Sequence, residues 1–444
     1  MSSMKDPDFL RTFFRELQSE PLEPGDEHYV PLYEDPDLVD VDPVDPLARG
    51  IEWTPGESVQ LLSGFRGTGK STELRRLRKR LQDAGFLVAL IDIEDHLNLT
   101  TEVDVSDFLM ALAGAFGRAL AAPALLDDDG LEEGYWERIR AFLSGAEVAS
   151  TTLDTRVPGV HLKVALKSDP TFKKRLQQQM AGHLTALVEE VRGFLRDAVE
   201  DLKKKHGSKV ETVLLVDSME HIRGTSANAE EVHKSVEALF ASHADKLRLP
   251  ALHVVYTVPP FLKVRYANLG ALYGPGGLHT LPAVKLRESE TEDGNGDHHW
   301  QPGYDALERV IHKRGDWSRL LRSRQRLHRL IELSGGQLRD LLRLVAEVIR
   351  RSDKLPVSDR AFEAAIHQIR NEFLPVSDLD AVRLAHVSET HRAPLGSKAE
   401  LADFAHYLDT HMVLCYRNGH EWYDVHPLIR EIVIEQAKSV RDEE

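Results

Sequence analysis

The chain has 444 residues, 42% of them hydrophobic and 29% charged, and its 72 acidic and 56 basic side chains give a net charge of −16. This length predicts two or three domains, and the acidic balance argues against nucleic-acid binding over the whole surface while leaving room for a local basic patch. The single cysteine, Cys415, excludes an intramolecular disulfide. Because neither a signal peptide nor a membrane-spanning apolar run is present, we expect a cytoplasmic protein with no membrane partner.

Residues 1–50 form an acidic leader that contains several prolines. An amphipathic helix is predicted at Phe9–Leu17, where apolar residues recur on one stripe. The following segment, Glu20–Leu47, is predicted to be extended and to wrap the next domain, with a disordered tail as the alternative. Docking is favoured by four apolar residues, which are Tyr29, Val30, Leu32 and Tyr33.

Strand and helix patterns alternate over residues 51–300, which predicts an α/β domain with a parallel sheet and helices on both faces. Strands buried on both faces are continuous apolar runs, and most of the candidates fit this description. The predicted strands are Val59–Ser63, Phe86–Ile93, Thr212–Val216, Leu252–Thr257 and Thr280–Leu286.

A long helical insertion is predicted between the second and third strands, at residues 97–208. Its elements are helices at Val105–Leu120 and Glu132–Leu143, a hairpin at Val157–Leu166 and one long helix at Pro170–Lys205. The apolar spacing of the long helix is compatible with a coiled coil, but packing against the other helices of the insertion is favoured.

The remainder of the chain is predicted to form a helical lid at residues 301–372 and a winged-helix domain at 373–444. In the second of these, a helix at Leu401–Leu408 precedes a hairpin at Met412–Val425 that turns at Asn418-Gly419, because this dipeptide favours tight turns. A helix at Pro427–Lys438 follows.

Residues 64–71 read Gly-Phe-Arg-Gly-Thr-Gly-Lys-Ser, the pattern of a phosphate-binding loop. Small residues allow backbone N–H groups to surround an anion, Lys70 reaches the β- and γ-phosphates, and the Ser71 hydroxyl binds Mg²⁺. A predicted strand precedes the loop and a predicted helix follows it, which is the context that the motif requires. The predicted nucleotide-binding residues are Gly64, Arg66, Gly67, Thr68, Gly69, Lys70, Ser71 and Thr72.

The third predicted strand ends at Asp217, after four apolar residues. An aspartate there is expected to hold Mg²⁺ together with Ser71, so that a nucleotide phosphate and Mg²⁺ are the predicted ligands. A hydrolase also needs a group that orients the attacking water. Many such ATPases carry glutamate directly after the aspartate, whereas this chain has Ser218. Glu220 is the favoured catalytic acid, Asp92 and Glu94 are rivals, and slow or absent hydrolysis stays open.

Two further positions are candidates for sensing the nucleotide. Thr257 ends a strand, where a small polar residue reaches the γ-phosphate or the water; an ordinary strand-terminal threonine is the equal alternative. The segment Leu333–Val345 contains Ser-Gly-Gly-Gln-Leu-Arg. Ser334 is expected to cap a helix, the two glycines to allow close approach to another domain, and Arg339 to project from the first turns. The alternative for Arg339 is a surface ion pair with Asp340 or a glutamate.

These motifs, in this order, resemble the AAA+ and STAND classes of P-loop ATPases over about residues 50–440. The resemblance implies ATP rather than GTP, Thr257 as the first sensor and Arg339 as the second. It does not identify an arginine finger, for which Arg248, Arg265 and Arg287 are equal candidates.

The resemblance implies an ATP-driven regulatory switch that hydrolyses ATP slowly. It would act by self-assembly into a homo-oligomer or through a separate effector, in signalling or antiviral defence. The alternative is an origin-recognition-like DNA-binding ATPase. A kinase or metabolic transferase is disfavoured, because a winged helix and a long helical insertion are unexpected in such an enzyme.

Two further clusters of polar residues indicate a function less specifically than the motifs above. The run Lys313–Arg329 carries seven basic residues against one acid, and a solvated helix face beside acidic neighbours is favoured over a nucleic-acid patch. The triplet Asp297-His298-His299 is interpreted as part of a polar loop rather than as a metal site.

Overall fold

The structure is a computed structural model that describes residues 6–18, 20–39, 41–145, 159–180, 182–225, 227–274, 277–287, 299–394 and 396–443. The chain divides into two compact units. Unit 1 contains Met1–Pro43, Phe65–Thr72 and Leu281–Glu444, and unit 2 contains Val44–Gly64 and Glu73–Thr280. In the described part of the chain, no helix combines the length and the apolarity that crossing a bilayer needs.

The helices and strands are numbered in chain order. The helices are α1 (Pro7–Glu16), α2 (Val44–Glu52), α3 (Lys70–Asp83), α4 (Val105–Ala119), α5 (Gly130–Gly145), α6 (Gly159–Ser168), α7 (Pro170–Met180), α8 (Leu184–His206), α9 (Ala229–Glu237), α10 (Phe261–Arg265), α11 (Gln301–His312), α12 (Trp317–Leu321), α13 (Arg324–Leu333), α14 (Leu338–Arg350), α15 (Asp359–Arg370), α16 (Asp378–Thr390), α17 (Lys398–Asp409) and α18 (Pro427–Glu443). The strands are β1 (Ser58–Gly64), β2 (Leu87–Asp92), β3 (Thr212–Asp217), β4 (Leu252–Val258), β5 (Leu278–Leu281), β6 (Val413–Asn418) and β7 (His420–Val425).

Unit 2 is built on a five-stranded sheet in the order β2-β3-β4-β1-β5. The pairs β2–β3, β3–β4 and β4–β1 are parallel. All residues of β3 and β4 are buried, which agrees with their apolar sequences, because a central strand of a parallel sheet is covered on both faces. The predicted parallel α/β sheet is therefore confirmed. The fifth strand is shorter than predicted: it ends at Leu281 instead of Leu286.

Two predictions for the insertion were wrong. The described part of the predicted hairpin is the helix α6, in which Leu162 and Leu166 are buried while Val164 is 57% exposed. Spacing of four residues therefore decides the structure, rather than the alternation that suggested a strand. The single long helix is also wrong, since α7 ends at Met180 and α8 begins at Leu184. The break comes at Gly182 and at His183, whose side chain does not cap α8.

The hydrophobic core of unit 1 lies among α11, α13, α14 and α15. Apolar residues of the leader belong to the same core, so the leader is docked rather than disordered. Gly315 shows how closely α1 packs, because a Cβ at this position would collide with the ring of Phe13. The leader residues in this core are Phe13, Leu17, Val30, Leu32, Tyr33 and Leu38.

The C-terminal part of unit 1 contains α16, α17, the antiparallel hairpin β6–β7 and α18. Gly419 supplies the left-handed turn with a φ of +75°. The hairpin and the final helix were both predicted, and together with the flanking helices they form the predicted winged-helix domain. The fold class is thus confirmed: an α/β P-loop sheet with a helical insertion, then a helical lid segment and a winged-helix domain. The exact division into four domains stays a prediction.

Candidate nucleotide site

The phosphate loop follows β1 and ends in the first turn of α3. Gly67 and Gly69 have φ angles of +88° and +102°, a region that side-chain-bearing residues rarely adopt. These two glycines turn the backbone so that α3 begins at Lys70. The N-terminus of a long helix offers free backbone N–H groups to an anion. The local structure therefore matches the predicted sequence of strand, loop and helix.

The Lys70 side chain is turned back onto its own loop. It is only 2% exposed, and its Nζ donates a hydrogen bond of 2.6 Å to the carbonyl oxygen of Phe65. The Thr68 hydroxyl donates to the same carbonyl at 2.9 Å. A phosphate group entering the loop would compete with this carbonyl for the ammonium group, and a charged acceptor makes the stronger hydrogen bond.

Within unit 1, backbone contacts tie the loop to α14. The Arg339 N–H donates to the carbonyl oxygen of Gly67 at 3.2 Å. A Cβ on Gly67 would lie under 3.0 Å from side-chain atoms of Arg339, so glycine is required there by space as well as by its φ angle. The structure therefore brings the predicted second-sensor residue into direct contact with the phosphate loop.

The leader also contacts the loop, which sequence reasoning missed. The Tyr33 hydroxyl is shared between the carbonyl oxygens of Thr68, at 3.0 Å, and Pro282, at 2.9 Å. Further along, the Leu22 N–H donates to the Thr72 hydroxyl at 3.1 Å. The apolar residues around Tyr33 predicted docking, but nothing in their pattern indicated that the hydroxyl group would reach a loop carbonyl.

The glycine pair before α14 has the predicted role, whereas Ser334 does not. Ser334 lies at the C-terminal end of α13, and Gln337 precedes α14 without a side-chain cap. The prediction that Ser334 caps the following helix was therefore wrong. Gly335 and Gly336 both have positive φ angles, of +59° and +78°. A Cβ on Gly336 would collide with the carbonyl group of Val284, which accounts for the second glycine.

A buried polar cluster next to Arg339 was also missed. Asp340 is 3% exposed and lies 3.5 Å from the Nε2 atom of His426. Burial raises the pKa of Asp340, but the neighbouring His426, with further contributions from His411 and Arg343, outweighs burial and lowers this pKa to about 2. His411 packs edge-on against the loop residue Phe65. The winged-helix domain thus reaches the phosphate loop through a histidine that no sequence motif marked.

In unit 2, the predicted polar residues lie at the carboxyl ends of neighbouring strands. Asp217 ends β3 and is paired in register with Asp92, the last residue of β2. Thr257 lies near the end of β4 and is paired in register with Leu62 of β1. Since ligands of open α/β sheets bind outside the carboxyl ends of the strands, these side chains lie at the edge where a ligand is expected.

Thr257 supports the turn that follows Asp217. Ser218 is in the left-handed conformation, with a φ of +71°, and its N–H donates to Oδ1 of Asp217 at 2.8 Å. The Met219 N–H then donates to Oγ1 of Thr257 at 3.0 Å. Both Thr257 and Met219 are fully buried. The hydroxyl of Thr257 therefore holds the segment that leads to Glu220.

The two competing glutamates lie in different surroundings. Glu220 is 7% exposed on a short 3-10 turn, Met219–His221. Glu94 has a side chain that is 53% exposed, and its Oε2 atom lies 2.7 Å from Nδ1 of His221. The Asp92 carboxylate accepts a hydrogen bond from the Glu94 N–H at 2.9 Å, which caps its own turn. Among the three acids Glu220 is the buried one, and its catalytic role stays a prediction.

No protein-family model matches the chain, and no curated protein matches it either. Solved structures do. The ORC2 protein of Aeropyrum pernix in ADPNP–ADP complexes has 12% identity and a TM-score of 0.40, with 94% of this chain and 97% of that chain covered. The ORC1 protein of the same organism in complex with DNA has 13% identity and a TM-score of 0.37, with 97% and 98% covered. Cdc6p of Pyrobaculum aerophilum has 12% identity and a TM-score of 0.39, with 96% and 98% covered.

The three arginine-finger candidates differ in their contacts. Arg265 is paired with Glu230 at 3.1 Å, and its side chain is 8% exposed. Arg287 is paired with the buried carboxylate of Asp424 at 3.0 Å. Arg248 is exposed and donates to a backbone carbonyl. Of the three, only Arg248 combines exposure with the absence of an acidic partner among the described residues.

The basic run of unit 1 is largely neutralised by acids, as the favoured interpretation predicted. Arg324 contacts Asp305 and Glu308 at 2.6 and 2.7 Å. Arg319, Arg326 and Arg329 have acidic partners as well, which are Asp6, Asp359 and Glu363.

Of the triplet Asp297-His298-His299, residues 297 and 298 lie outside the described residues, and His299 contacts the Tyr304 hydroxyl through Nδ1 at 2.9 Å. Among the described residues, no cluster of three or more His, Cys, Asp or Glu side chains could hold a metal ion.

Proposed function

We propose that this chain is an ATP-binding P-loop ATPase of the AAA+ type that acts as a nucleotide-dependent switch. The observation that carries the proposal is the hydrogen bond from the Arg339 N–H to the Gly67 carbonyl oxygen. The loop that would hold the phosphates is bonded directly to α14, a helix of the core of unit 1. A rearrangement of the loop on nucleotide binding would therefore displace α14 directly.

The side chains of the loop fit a nucleotide phosphate and its metal ion. Lys70 would exchange the Phe65 carbonyl for phosphate oxygens, and Gly69, with open space at its Cβ position, leaves the backbone free of side-chain atoms where an anion would approach. The hydroxyl of Ser71 and the carboxylate of Asp217 are oxygen ligands of the kind that Mg²⁺ prefers. When bound, Mg²⁺ neutralises charge on the phosphates.

Hydrolysis, in this proposal, depends on Glu220 and on the residue that positions it. Glu220 would orient the attacking water, because a buried carboxylate close to the Mg²⁺-binding aspartate suits that task. Thr257 would act through its hydrogen bond to the Met219 N–H, which holds the same turn. Arg339 would report the γ-phosphate to the helical lid through its guanidinium group.

A second candidate is the origin-recognition-like DNA-binding ATPase. The observation that favours it is the winged-helix domain, on which Arg392 and Lys398 are exposed. The pairing of the basic run with acids speaks against a broad phosphate-binding surface elsewhere in unit 1. DNA binding through the winged helix would therefore be local and strongly dependent on salt. If the switch acts in signalling or defence instead, its output would require a separate effector protein or self-assembly of the chain.

Binding of a fluorescent ATP analogue with Mg²⁺ tests the site. Lys70→Ala should reduce affinity at least tenfold, because it removes the cation that meets the phosphates, while the exposed Lys354→Ala should leave affinity unchanged. Glu220→Gln should slow phosphate release while sparing binding, with Glu94→Gln as the matched control. Unchanged affinity in Lys70→Ala would refute the site, and unchanged turnover in Glu220→Gln would refute the assignment of the catalytic acid.

Size-exclusion chromatography with light scattering distinguishes the two functions. The chain is run with and without Mg·ATP, and again with a short DNA duplex. ATP-dependent assembly that is indifferent to DNA would support the switch with a protein output. A DNA complex that weakens steeply with salt, and that is weaker and less dependent on salt in Lys398→Glu, would establish the DNA-binding candidate. No response to ATP in either assay would contradict both.

A further inference from the structure

A groove of about 530 Å³ lies beside β2, within unit 2 and separate from every residue of the nucleotide site except Asp92. Its base is formed by Val88–Asp92 of the strand itself. Small side chains line the side formed by α4 and the loop after it, which lets another backbone approach closely. These are Ala115, Ala119, Ala122 and Ala124.

The strand in this groove is the edge of the sheet. β2 is hydrogen-bonded to β3 only, since it stands first in the strand order. The Leu87 N–H donates to the Glu211 carbonyl oxygen at 3.0 Å, so Leu87 and alternate residues face β3. The backbone groups of Val88 and Leu90 consequently face the open edge, and no partner for them exists among the described residues. An open strand edge is a template for pairing with another chain.

Two side chains of the groove have polar atoms without partners in the described structure. His96 is 4% exposed, yet its Nδ1 atom is buried without a hydrogen bond. Burial lowers the pKa of His96 to about 4, so the ring is neutral near pH 7. Arg118 is exposed and has no acidic partner among the described residues, although it lies on the rim of the groove. A ligand that satisfied both groups would need a polar backbone and an acidic side chain.

We infer that this groove binds an extended acidic segment of another polypeptide, which adds to the sheet as a strand beside β2. The backbone of the segment would pair with Val88 and Leu90, and an acidic side chain would meet Arg118. Main-chain hydrogen bonds supply affinity in this mode of recognition, and alternate side chains supply specificity. The surface lies outside the proposed ATPase chemistry, and it gives the chain a docking site for a partner protein.

The open shape of the groove favours a peptide over a compact small molecule. β2 has six residues, Leu87–Asp92, which span roughly 20 Å at the usual rise of a strand. A segment of about the same length would cover the strand edge. Asp92 and Asp95 lie at the carboxyl end, and the Asp92 carboxylate is already engaged by the Glu94 N–H. The cation without an acidic partner, Arg118, is therefore the group that selects the charge of the segment.

The test uses fluorescein-labelled peptides and the full chain. The probe has the sequence Val-Glu-Val-Thr-Val-Thr, and a twin carries Lys in place of Glu. We expect saturable binding of the Glu peptide, measured by anisotropy, and about tenfold weaker binding of the Lys twin. Arg118→Glu should reverse this preference, whereas Arg360→Glu, an equal change of charge on an exposed residue of unit 1, should not.

Two further controls test the geometry. Two N-methylated probes, each blocked at alternate amides, should differ, because only the amides that face β2 are needed. Ala122→Trp should abolish binding by filling the groove from an exposed position, with Mg·ATP affinity and circular dichroism unchanged. Equal binding of both methylated probes, an unaltered preference in Arg118→Glu, or no saturable binding would overturn the inference. A dimer in light scattering that is lost in Ala122→Trp would also overturn it, since a second copy would then be the occupant.

Discussion

The substitution Thr257→Val separates a structural role of this threonine from a sensing role. Its Oγ1 accepts the Met219 N–H at 3.0 Å, and both residues are fully buried, so no water can replace the lost acceptor. An unsatisfied buried N–H costs about 1–3 kcal/mol. For a unit of roughly 200 residues, a loss of about 2 kcal/mol lowers Tm by about 4–8 °C.

Thermal unfolding and hydrogen exchange measure this loss together. Thr257→Ser is the matched control, because it keeps the hydroxyl and removes one methyl group, at a cost of about 1 kcal/mol. The amide of Met219 should lose its protection from exchange in Thr257→Val and keep it in Thr257→Ser. ATP turnover should fall in Thr257→Val as well, since the turn that carries Glu220 is released, while the affinity for Mg·ATP should change little.

Two results would refute this reasoning. If Thr257→Val unfolds at the wild-type temperature and the Met219 amide remains protected, then the hydrogen bond does not hold the turn. If both Thr257 variants lose turnover equally while Met219 stays protected in the serine variant, then the side chain acts on the nucleotide directly. The second result would support the sensor function that the family resemblance implies.

Three other changes have definite expected outcomes. Gly67→Ala should weaken Mg·ATP binding in calorimetry, because a φ of +88° costs a non-glycine residue roughly 1–2 kcal/mol and the new Cβ would displace Arg339. Tyr33→Phe should lower Tm by removing the hydroxyl that contacts the Thr68 carbonyl, at about 1–3 kcal/mol, and should speed exchange in the loop. Stability should fall as the pH drops from 6.5 towards 4, because unfolded His96 binds a proton at a pH where the folded residue, with its pKa lowered to about 4, does not; the contribution of His96 is up to about 3 kcal/mol. Burial also lowers the pKa of His411 to about 4, so this residue adds the same dependence. His96→Gln should therefore reduce the dependence in urea titrations without abolishing it.

Each of these changes has a control within the chain. Gly85 has a similar φ of +93° but open space at its Cβ position, so Gly85→Ala should lose stability without losing ATP affinity. Tyr29→Phe removes an exposed hydroxyl bonded to Glu34, and a drop in Tm as large as that of Tyr33→Phe would contradict the role given to Tyr33. The exposed His161→Gln should leave the acid dependence unchanged, and a flattened curve in that variant would remove His96 as its cause.

Local patterns predicted most of the sheet. β1, β3 and β4 contain apolar runs of the kind that form strands buried on both faces of a sheet, and β1 and β3 end in a small or a polar residue. The stretch at Val157–Leu166 was misassigned because alternation and a spacing of four residues overlap over so short a length. Residues after Leu281 are apolar like a strand, but their backbone partners are single, distant groups: the Ala283 N–H donates to Cys415. Such long-range pairing has no local signature.

The candidate site, like the sheet, has one part that local sequence patterns predicted and another that depends on contacts between distant residues. The phosphate loop could be predicted because its glycines, Lys70 and Ser71 are consecutive, and the chemistry of anion binding dictates their types. The contacts from Arg339 and Tyr33 to that loop could not, since each is made to a backbone carbonyl that lies hundreds or tens of residues away in the sequence. Every residue has a backbone carbonyl, so the type of residue does not show which carbonyl will accept such a hydrogen bond. The contact of His411 with Phe65 could not be predicted for a related reason: the position of His411 depends on packing in the winged-helix domain.

The grouping of the phosphate loop has a practical consequence for protein expression. Phe65–Thr72 belongs to the compact unit that also contains Met1–Pro43 and Leu281–Glu444, whereas the strand before the loop and most of α3 belong to the other unit. A fragment cut at residues 51–300, as a conventional ATPase domain would be, keeps the motif but discards Tyr33 and Arg339. Such a fragment should carry a complete nucleotide signature and still bind nucleotide poorly, until the two missing pieces are supplied on the same chain.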